Sequence, residues 1–289
     1  MILVTGATGG LGRSTVDALL KKMPAKEITA LVRDSEKAAD LKEKEVVVKE
    51  GDYFNYQSLL KAFEGVEKVV LISAPTFTDR ITQQTNVINA AKEAGVSHVI
   101  YTGIQRKKDG SWIVPMVTES DKITEQLLIE SGLNYTIVLN NVYADVIPFF
   151  IGNPAAISEV KYPSGDAKIS FVAREEFAEA LANLVIQNGH ENKIYTLSNS
   201  EAWSFADIAE ILTEISGRKI DFINVSKDQY ISLKEKEGYP KPAAEFAVEW
   251  ANAALAGELD EINPALEILL GRRPSSLKDF LKRYFQPEN

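Results

Sequence analysis

The first twelve residues constrain the fold more than any other stretch, because an apolar run leads directly into a glycine-rich turn. Ile2-Leu-Val4 is typical of a buried strand, glycines follow at positions 6, 9, 10 and 12, and apolar residues then recur at helical spacing. A strand, a glycine-rich turn and a helix place backbone N–H groups and a helix N-terminus where they can bind a diphosphate. The sequence therefore predicts a dinucleotide site at this turn. An ordinary glycine-containing loop is the alternative, which the flanking strand and helix disfavour.

Short apolar runs and helical patterns alternate along the first half of the chain. The runs predicted as strands are 2–4, 28–32, 46–48, 69–72, 99–101 and 135–139. Their residues are continuously apolar, which indicates strands covered on both faces. This alternation predicts an α/β fold with a Rossmann-type, doubly wound parallel sheet. We expect an NAD(P)-binding domain over residues 1–150. A smaller, mixed α/β C-terminal lobe over 151–289, interleaved with it, is expected to include strands at 168–172 and 194–197.

Composition and charge narrow the classes of function. The net charge of −9 disfavours partners such as nucleic acids or anionic membranes. The chain has no cysteine, which excludes disulfides and thiolate ligands, and no spacing of histidine and carboxylate residues suggests a metal site. No apolar run reaches about 18 residues, so no membrane span is expected. The first strand begins beside Met1, which leaves no room for a signal peptide and predicts a cytoplasmic protein.

The residue that ends the second strand indicates which nicotinamide cofactor binds. NAD-binding folds usually place an acid there for the ribose 2′-hydroxyl, whereas this chain has Arg33. Arg33 can bind a 2′-phosphate through two N–H donors, and Lys37 could add a second positive charge. NADP(H) is therefore favoured over NAD(H). A solvated Arg33, with Asp34 as the ribose ligand, is the alternative.

Further cofactor contacts are expected where other strands end, because ligands of such sheets bind there. Asp52 and Tyr53 follow the third strand and are positioned for the adenine edge, although Asp52 could simply form a turn. Small residues follow the fourth strand, where the ribose and diphosphate must pass. The expected cofactor contacts are Gly6, Thr8, Gly9, Gly10, Leu11, Gly12, Arg33, Lys37, Asp52, Tyr53, Ser73, Ala74, Pro75, Thr102 and Asn140.

Several motifs together resemble a known family. They are Val4-Thr-Gly-Ala-Thr-Gly-Gly-Leu-Gly12, Leu31-Val-Arg33, Glu50-Gly-Asp-Tyr53, Asn86-Val-Ile-Asn-Ala-Ala91, Ser131-Gly-Leu-Asn-Tyr-Thr136, Gly165-Asp-Ala-Lys168, Gly189-His-Glu-Asn-Lys193 and Trp203-Ser-Phe205. Across nearly the whole chain they resemble atypical short-chain dehydrogenases of the NmrA-like group. The most similar subgroup is that of the type 2 NADPH:quinone oxidoreductases and the related triphenylmethane dye reductases. The resemblance implies NADPH on the glycine turn and Arg33, and a flat aromatic or quinone-like acceptor in the cleft.

The helix after the fifth strand departs from active short-chain dehydrogenases and sugar epimerases. Those enzymes carry a Tyr-x-x-x-Lys pair, whose lysine lowers the tyrosine pKa so that it can exchange a proton. Here Lys122 is present, but Thr118 stands four positions before it. Lys122 is therefore interpreted as a solvated helix lysine. A nucleotide-sugar epimerase becomes the least favoured interpretation.

Quinone reduction can proceed without that pair. Hydride addition leaves a phenolate-like oxygen whose conjugate acid has a pKa of about 10, by analogy with tyrosine, so water can supply the proton. The protein then needs to hold nicotinamide and acceptor face to face and to exclude water. Asn140 and Tyr143 are the predicted catalytic residues: Asn140 can donate to a carboxamide or substrate oxygen, and Tyr143 can stack on a ring or act as a weak acid. A packing role is the alternative for Tyr143.

Two interpretations of function remain. The first is an NADPH-dependent reductase of quinones or similar flat electrophiles, and Asn140 with Tyr143 favours it. The second is a non-catalytic NADP(H) sensor, which the NmrA-like resemblance also implies. Leu139 favours the sensor, because the resembled subgroup usually has arginine at this position.

Some other residues carry weaker predictions. Phe149-Phe150 is expected to form a wall for an aromatic acceptor, with the core or an oligomer contact, such as a homodimer interface, as alternatives. His98 and His190 are expected to be structural. The sequence leaves open whether the loop at 103–116, which contains Trp112, closes over the cofactor.

Overall fold

The computed structural model describes residues 1–107 and 113–285, so Trp112 lies outside the described residues. The described strands are β1 (Ile2–Val4), β2 (Ile28–Val32), β3 (Val47–Glu50), β4 (Lys68–Leu71), β5 (His98–Ile104), β6 (Asn134–Asn140), β7 (Glu159–Lys161), β8 (Lys193–Leu197) and β9 (Asp221–Ile223). The described helices are α1 (Gly10–Leu20), α2 (Ala39–Glu43), α3 (Tyr56–Phe63), α4 (Arg80–Glu93), α5 (Thr118–Glu130), α6 (Ile147–Ile151), α7 (Arg174–Ile186), α8 (Phe205–Ser216), α9 (Lys227–Lys236), α10 (Lys241–Leu255), α11 (Ala265–Leu270) and α12 (Leu277–Phe285).

Seven strands form one parallel sheet in the order β3-β2-β1-β4-β5-β6-β8, and β7 pairs with β9 in a separate two-stranded sheet. The predicted doubly wound parallel sheet is confirmed. The strand order reverses between β1 and β4, and ligands of such sheets bind in the crevice at this switch point. The residues of β1, β2 and β5 are all buried, as their continuous apolar sequence predicted.

Several helices begin at residues that can satisfy the free N–H groups of a first turn. The side chains of Asn55, Asp79 and Ser204 each accept a backbone hydrogen bond at the starts of α3, α4 and α8. Such caps each contribute about 1 kcal/mol to stability. Asp34 does the same for a 3₁₀ helix over Ser35–Ala38, which precedes α2.

The chain beyond residue 150 returns to the large sheet. Strand β8 pairs with β6 at the edge of this sheet, and α7 and α11 pack on the face that α1 also covers. Residues 1–150 therefore hold six of the seven strands, and part of the cover of one sheet face comes from outside that segment. Residues on the two sides of position 150 therefore share one sheet and one apolar core.

Three apolar clusters make up the core. One lies between the sheet and α1, α7 and α11, and a second lies between the opposite face and α3, α4 and α5. The third fills the C-terminal lobe and is rich in aromatic rings; the centroids of Tyr162 and Phe205 are 4.2 Å apart. Between the sheet and this lobe, α10 approaches the crevice.

The predicted strand at 168–172 is wrong. This segment forms only isolated bridges, from Ile169 to Trp203 and from Val172 to Tyr143. Its backbone N–H groups donate to three separate segments. The acceptors are the carbonyl oxygens of Trp203, Leu259 and Val142. The apolar residues reflect burial in the core rather than sheet pairing. Among residues 1–107 and 113–285, no helix is both long enough and apolar enough to cross a membrane.

Candidate active site

Two cavities adjoin at the crevice and share the segment Ile72–Pro75, which follows β4. The glycine-loop cavity, of about 370 Å³, is lined by Gly6, Thr8, Gly9, Leu31, Val32, Arg33, Gly51, Asp52, Tyr53, Phe54, Thr78, Gln83 and the shared segment. The aromatic cavity, of about 350 Å³, lies on the other side of that segment. Its lining includes Leu11, Asn140, Tyr143, Phe149, Phe246 and Trp250. A ligand that occupied both cavities would pass along the shared segment.

The glycine turn has the geometry that a bound diphosphate needs. Gly6 has φ +58°, in the left-handed region that favours glycine. A Cβ on Gly12 would lie 2.3 Å from the Gly6 carbonyl oxygen, so only glycine fits there. Gly9 and Thr8 line the cavity, and α1 begins at Gly10. Backbone N–H groups at the start of α1 are therefore available for an anion.

Arg33 is the cation on the wall of the glycine-loop cavity. Its side chain is exposed, and it forms no ion pair within residues 1–107 and 113–285. The Asp34 carboxylate accepts a hydrogen bond from the Glu36 N–H at 3.0 Å and so caps the 3₁₀ helix that follows. Lys37 lies 4.0 Å from Asp34 and does not line this cavity. The structure thus brings Arg33, but not Lys37, to the predicted cofactor position.

Asp52 and Tyr53 line the glycine-loop cavity, Thr102 does not, and all three make hydrogen bonds that hold the surrounding backbone. The Asp52 carboxylate accepts from the Phe54 N–H at 2.9 Å, so it forms the turn while lining the cavity. The Tyr53 hydroxyl donates to the Ile72 carbonyl oxygen at 3.0 Å, and burial raises the pKa of Tyr53 well above its ordinary value. Thr102 lines neither cavity; its hydroxyl accepts from the Ser73 N–H at 3.0 Å and so fixes the shared segment.

Asn140 ends β6 and lines the aromatic cavity with its side-chain amide unpaired. The residue is 3% exposed, and neither its Oδ1 nor its Nδ2 has a hydrogen-bond partner among the described residues. A buried polar group without a partner costs about 1–3 kcal/mol. A ligand that offered one donor and one acceptor would recover this free energy.

Tyr143 lies beside Asn140 and is half-buried. One face of its ring packs against Phe177, with centroids 5.4 Å apart, while the residue also lines the aromatic cavity. Burial raises the pKa of Tyr143; the Asn140 amide, which approaches the hydroxyl without the geometry of a hydrogen bond, and the Arg174 guanidinium oppose this rise without cancelling it. The hydroxyl therefore stays protonated near neutral pH. The packing and the cavity-lining interpretations of Tyr143 are compatible.

The walls of the aromatic cavity include rings that sequence analysis missed. Phe246 and Trp250, one turn apart on α10, lie with centroids 5.9 Å apart and face the predicted Phe149. Phe77 packs on Phe246 at 5.5 Å and has φ +66°, a conformation that is rare for a bulky residue. Phe150 also borders the cavity, but its ring is buried and packs inside the C-terminal lobe.

Arg174, the first residue of α7, is a second missed residue. Its guanidinium lies so close to the glycine turn that a Cβ on Gly10 would be 2.8 Å from its Nη1. It also lies 5.5 Å from the centroid of the Tyr143 ring and 3.7 Å from the Asp145 carboxylate. The segment Arg174-Glu-Glu176 has no local pattern that links it to a turn more than 160 residues earlier. The fold brings this cation to the start of α1.

The model of the NmrA-like family matches residues 1–281. This chain belongs to the NmrA-like family. It is 32% identical to quinone oxidoreductase 2 of Escherichia coli over the full length of both chains. The structure of that E. coli enzyme complexed with NADPH has a TM-score of 0.92, covering 99% of this chain and 100% of the other. The triphenylmethane reductase of Citrobacter sp. complexed with NADP(H) is 35% identical, with a TM-score of 0.93 and coverage of 98% and 99%.

In this NmrA-like protein, α5 contributes Asp121 to a buried ion pair with Arg80 of α4, near the position of the missing Tyr-x-x-x-Lys pair. Lys122 is exposed, and the Thr118 hydroxyl accepts from the Val114 N–H at 2.8 Å. Asp121, by contrast, is buried, lines the aromatic cavity and pairs with Arg80 at 2.6 Å. Helix α5 therefore presents a carboxylate to the cavity, and α4 presents its arginine partner.

Leu139 stands where the resembled subgroup usually has arginine, and a guanidinium is nevertheless present nearby. Leu139 and Glu125 both lie against Gly103. Arg106 donates two hydrogen bonds to the Glu125 carboxylate, at 2.8 and 2.6 Å. In this family member, a guanidinium reaches the same region from the loop after β5.

Proposed function

We propose that this protein is an NADPH-dependent reductase of quinones or similar flat electrophilic acceptors, acting by direct hydride transfer. The observation that carries the proposal is the junction of the two cavities. A glycine-loop cavity with an exposed arginine meets an aromatic cavity that contains the buried, unpaired Asn140. One cavity suits the nucleotide end of a cofactor and the other suits a flat ring.

The residues around the glycine-loop cavity fit NADPH. The glycine turn, together with Arg174, would hold the diphosphate, and Arg33 would bind the 2′-phosphate. Asn140 would pair with the nicotinamide carboxamide, which offers one donor and one acceptor. When bound, the cofactor supplies the hydride, and the protein orients it and excludes water.

The aromatic cavity fits an acceptor whose reduction needs no strong protein acid. Phe149, Phe246 and Trp250 would hold a flat ring, and the neutral Tyr143 would offer a weak donor. The relatedness to quinone oxidoreductase 2 of E. coli supports this substrate class. A non-catalytic NADP(H) sensor is the second candidate. Leu139, in place of the arginine usual in the resembled subgroup, is the residue that favours it. A cytoplasmic location and a homodimer stay predictions.

Absorbance of the reduced cofactor, followed after mixing the protein with NADPH or NADH and a small quinone, tests this function. We expect rapid oxidation of NADPH and slow oxidation of NADH. Because Arg33 would make charge-assisted hydrogen bonds, Arg33→Ala should raise the KM for NADPH about 10- to 100-fold and leave that for NADH nearly unchanged.

Lys37→Ala is the matched control, because it removes a neighbouring cation that does not line the cavity. It should change the KM for NADPH less than about threefold, as surface charges contribute little. Tight NADPH binding without turnover of several quinones and dyes would contradict the reductase and support the sensor.

A further inference from the structure

Arg80 and Asp121 are the charged side chains among the described residues that line the aromatic cavity, and both are buried. Arg80 is 5% exposed and Asp121 is 1% exposed. Their Nη2 and Oδ1 atoms are 2.6 Å apart. The proposed function assigns no role to this pair.

The hydrogen bonds of Arg80 leave part of its donor capacity free. Its Nε donates to the Ser120 hydroxyl at 2.8 Å, its Nη1 to the Ala74 carbonyl oxygen and its Nη2 to Asp121. A guanidinium has five N–H groups. Within residues 1–107 and 113–285, two of them therefore have no protein partner. These remaining N–H groups can serve a ligand in the cavity that Arg80 lines.

Asp121 is held in place from three directions. It accepts hydrogen bonds from the Tyr101 hydroxyl at 2.7 Å, from the Ile104 N–H at 2.9 Å and from Arg80. Three of its roughly four acceptor sites are thereby occupied. Together with the Ser120 hydroxyl and the Ala74 carbonyl oxygen, it holds the Arg80 guanidinium in place. A fixed donor needs no reorganisation when negative charge develops next to it.

We infer that Arg80 is a further catalytic residue, which donates hydrogen bonds to the acceptor oxygen as that oxygen gains negative charge. Asp121 is its positioning residue. The inference rests on the proposed function. In that reaction a hydride, one proton with two electrons, moves from the reduced nicotinamide to the quinone, and a proton from water completes the hydroquinone. Arg80 would stabilise the phenolate-like oxygen between these two events.

The charge of the product gives a test that separates this role from a structural one. A cationic triphenylmethane dye becomes neutral when it takes a hydride, so its reduction creates no oxyanion. Reduction of a quinone does create one. Substitution of Arg80 should therefore slow the quinone reaction selectively, whereas displacement of the shared segment would slow both.

The variant removes both charges, Arg80→Met with Asp121→Asn, because an unpaired buried charge would itself destabilise the protein. In single-turnover reactions with NADPH, we expect a fall of about 10- to 100-fold in the rate with the quinone and less than about threefold with the dye. If the wild type does not reduce the dye, a halogenated quinone replaces it, since its substituents stabilise the anion and should reduce the loss. Equal losses with both acceptors would overturn the inference.

Arg106→Met with Glu125→Gln is the matched control. It removes another largely buried pair, between Glu125 of α5 and Arg106 of the loop after β5, that does not line the aromatic cavity. It should leave the ratio of the two rates unchanged. A similar selective loss in this control would also overturn the inference.

A binding measurement on the wild type needs neither turnover nor a folded variant. 4-Nitrophenol resembles a reduced acceptor, and its ionised form is seen by absorbance. When the phenol binds next to Arg80, its pKa should fall by at least about half a unit. This shift corresponds to a preference of about threefold or more for binding the phenolate over the phenol. An unchanged or raised pKa of the bound phenol would overturn the inference. Failure of the proposed reductase would be seen separately, as absence of turnover.

Discussion

His98, at the start of β5, links the stability of the fold to pH. The residue is buried, and its Nε2 lies 2.8 Å from the Thr136 hydroxyl. Burial lowers the pKa of His98, and the positive charge of Lys68 lowers it further. The unfolded chain therefore binds this proton more tightly than the folded chain does. The free energy of unfolding should fall as the pH drops through about 6.5.

We expect His98→Gln to flatten this decline. Urea unfolding at about pH 7.5 and about pH 5.5 should show a smaller loss of stability in the variant than in the wild type. His190→Gln is the control. Burial lowers the pKa of His190 as well, but this histidine is more exposed than His98, so its removal should change the decline less. An equal decline in His98→Gln and the wild type would show that His98 is not responsible.

Single residues could be predicted from sequence where a local motif fixes their role. The glycine turn and Arg33 belong to one strand–turn–helix unit, so their spacing along the chain places them in space. Arg174 reaches the glycine turn, and Trp250 the aromatic cavity, only through packing of α7 and α10, which no local pattern encodes. Asn140 was predictable in position, but its unpaired amide became visible only once its neighbours were known.

Two helices hold the segment shared by the cavities. Gln84 of α4 accepts from the Ala74 N–H at 3.0 Å and donates to the Thr124 hydroxyl of α5 at 2.6 Å. Gln84→Leu should lower the free energy of unfolding by about 1–3 kcal/mol, because the Ala74 N–H loses its buried partner. It should also weaken NADPH binding, measured by fluorescence titration. Urea unfolding measures the first effect.

Gln126→Leu provides the control, since it makes the same exchange at an exposed position of α5. It should change stability by less than about 0.5 kcal/mol and leave NADPH affinity unchanged. Unaltered NADPH affinity in Gln84→Leu would show that the shared segment keeps its conformation without this residue.

Elements were predictable where their own residues decide them. Helix starts at Asn55 and Ser204 follow from side-chain caps, and apolar runs mark the inner strands. The segment 168–172 has the composition of a strand, but its backbone groups bond to separate loops. The three-residue strands β7 and β9 are too short to leave a periodic signal.

For the molecule as a whole, one face of the large sheet depends on α7 and α11 for its cover. A truncated chain of residues 1–150 would expose this apolar face and lack the edge strand β8. We expect it to show no cooperative urea transition by circular dichroism, whereas the full chain unfolds in one. A cooperative transition in the truncated chain would support an independent domain ending at residue 150.

The fold class followed from the alternation of strands and helices, because that pattern is repeated in the sequence. How the C-terminal lobe interleaves with the first domain did not, because the return of β8 to the sheet is a tertiary pairing between residues far apart in the chain. Sequence patterns show which helices and strands form, whereas tertiary packing decides which of them share a sheet and a core.

The late position of β8 and α7 also matters while the chain is being made. At roughly 5–20 residues per second, several seconds pass between the emergence of residue 150 and that of the last sheet strand. During that interval the nascent chain presents an apolar sheet face that only α1 covers in part. Chaperones that bind such surfaces would have their main opportunity there, before α7 closes the face.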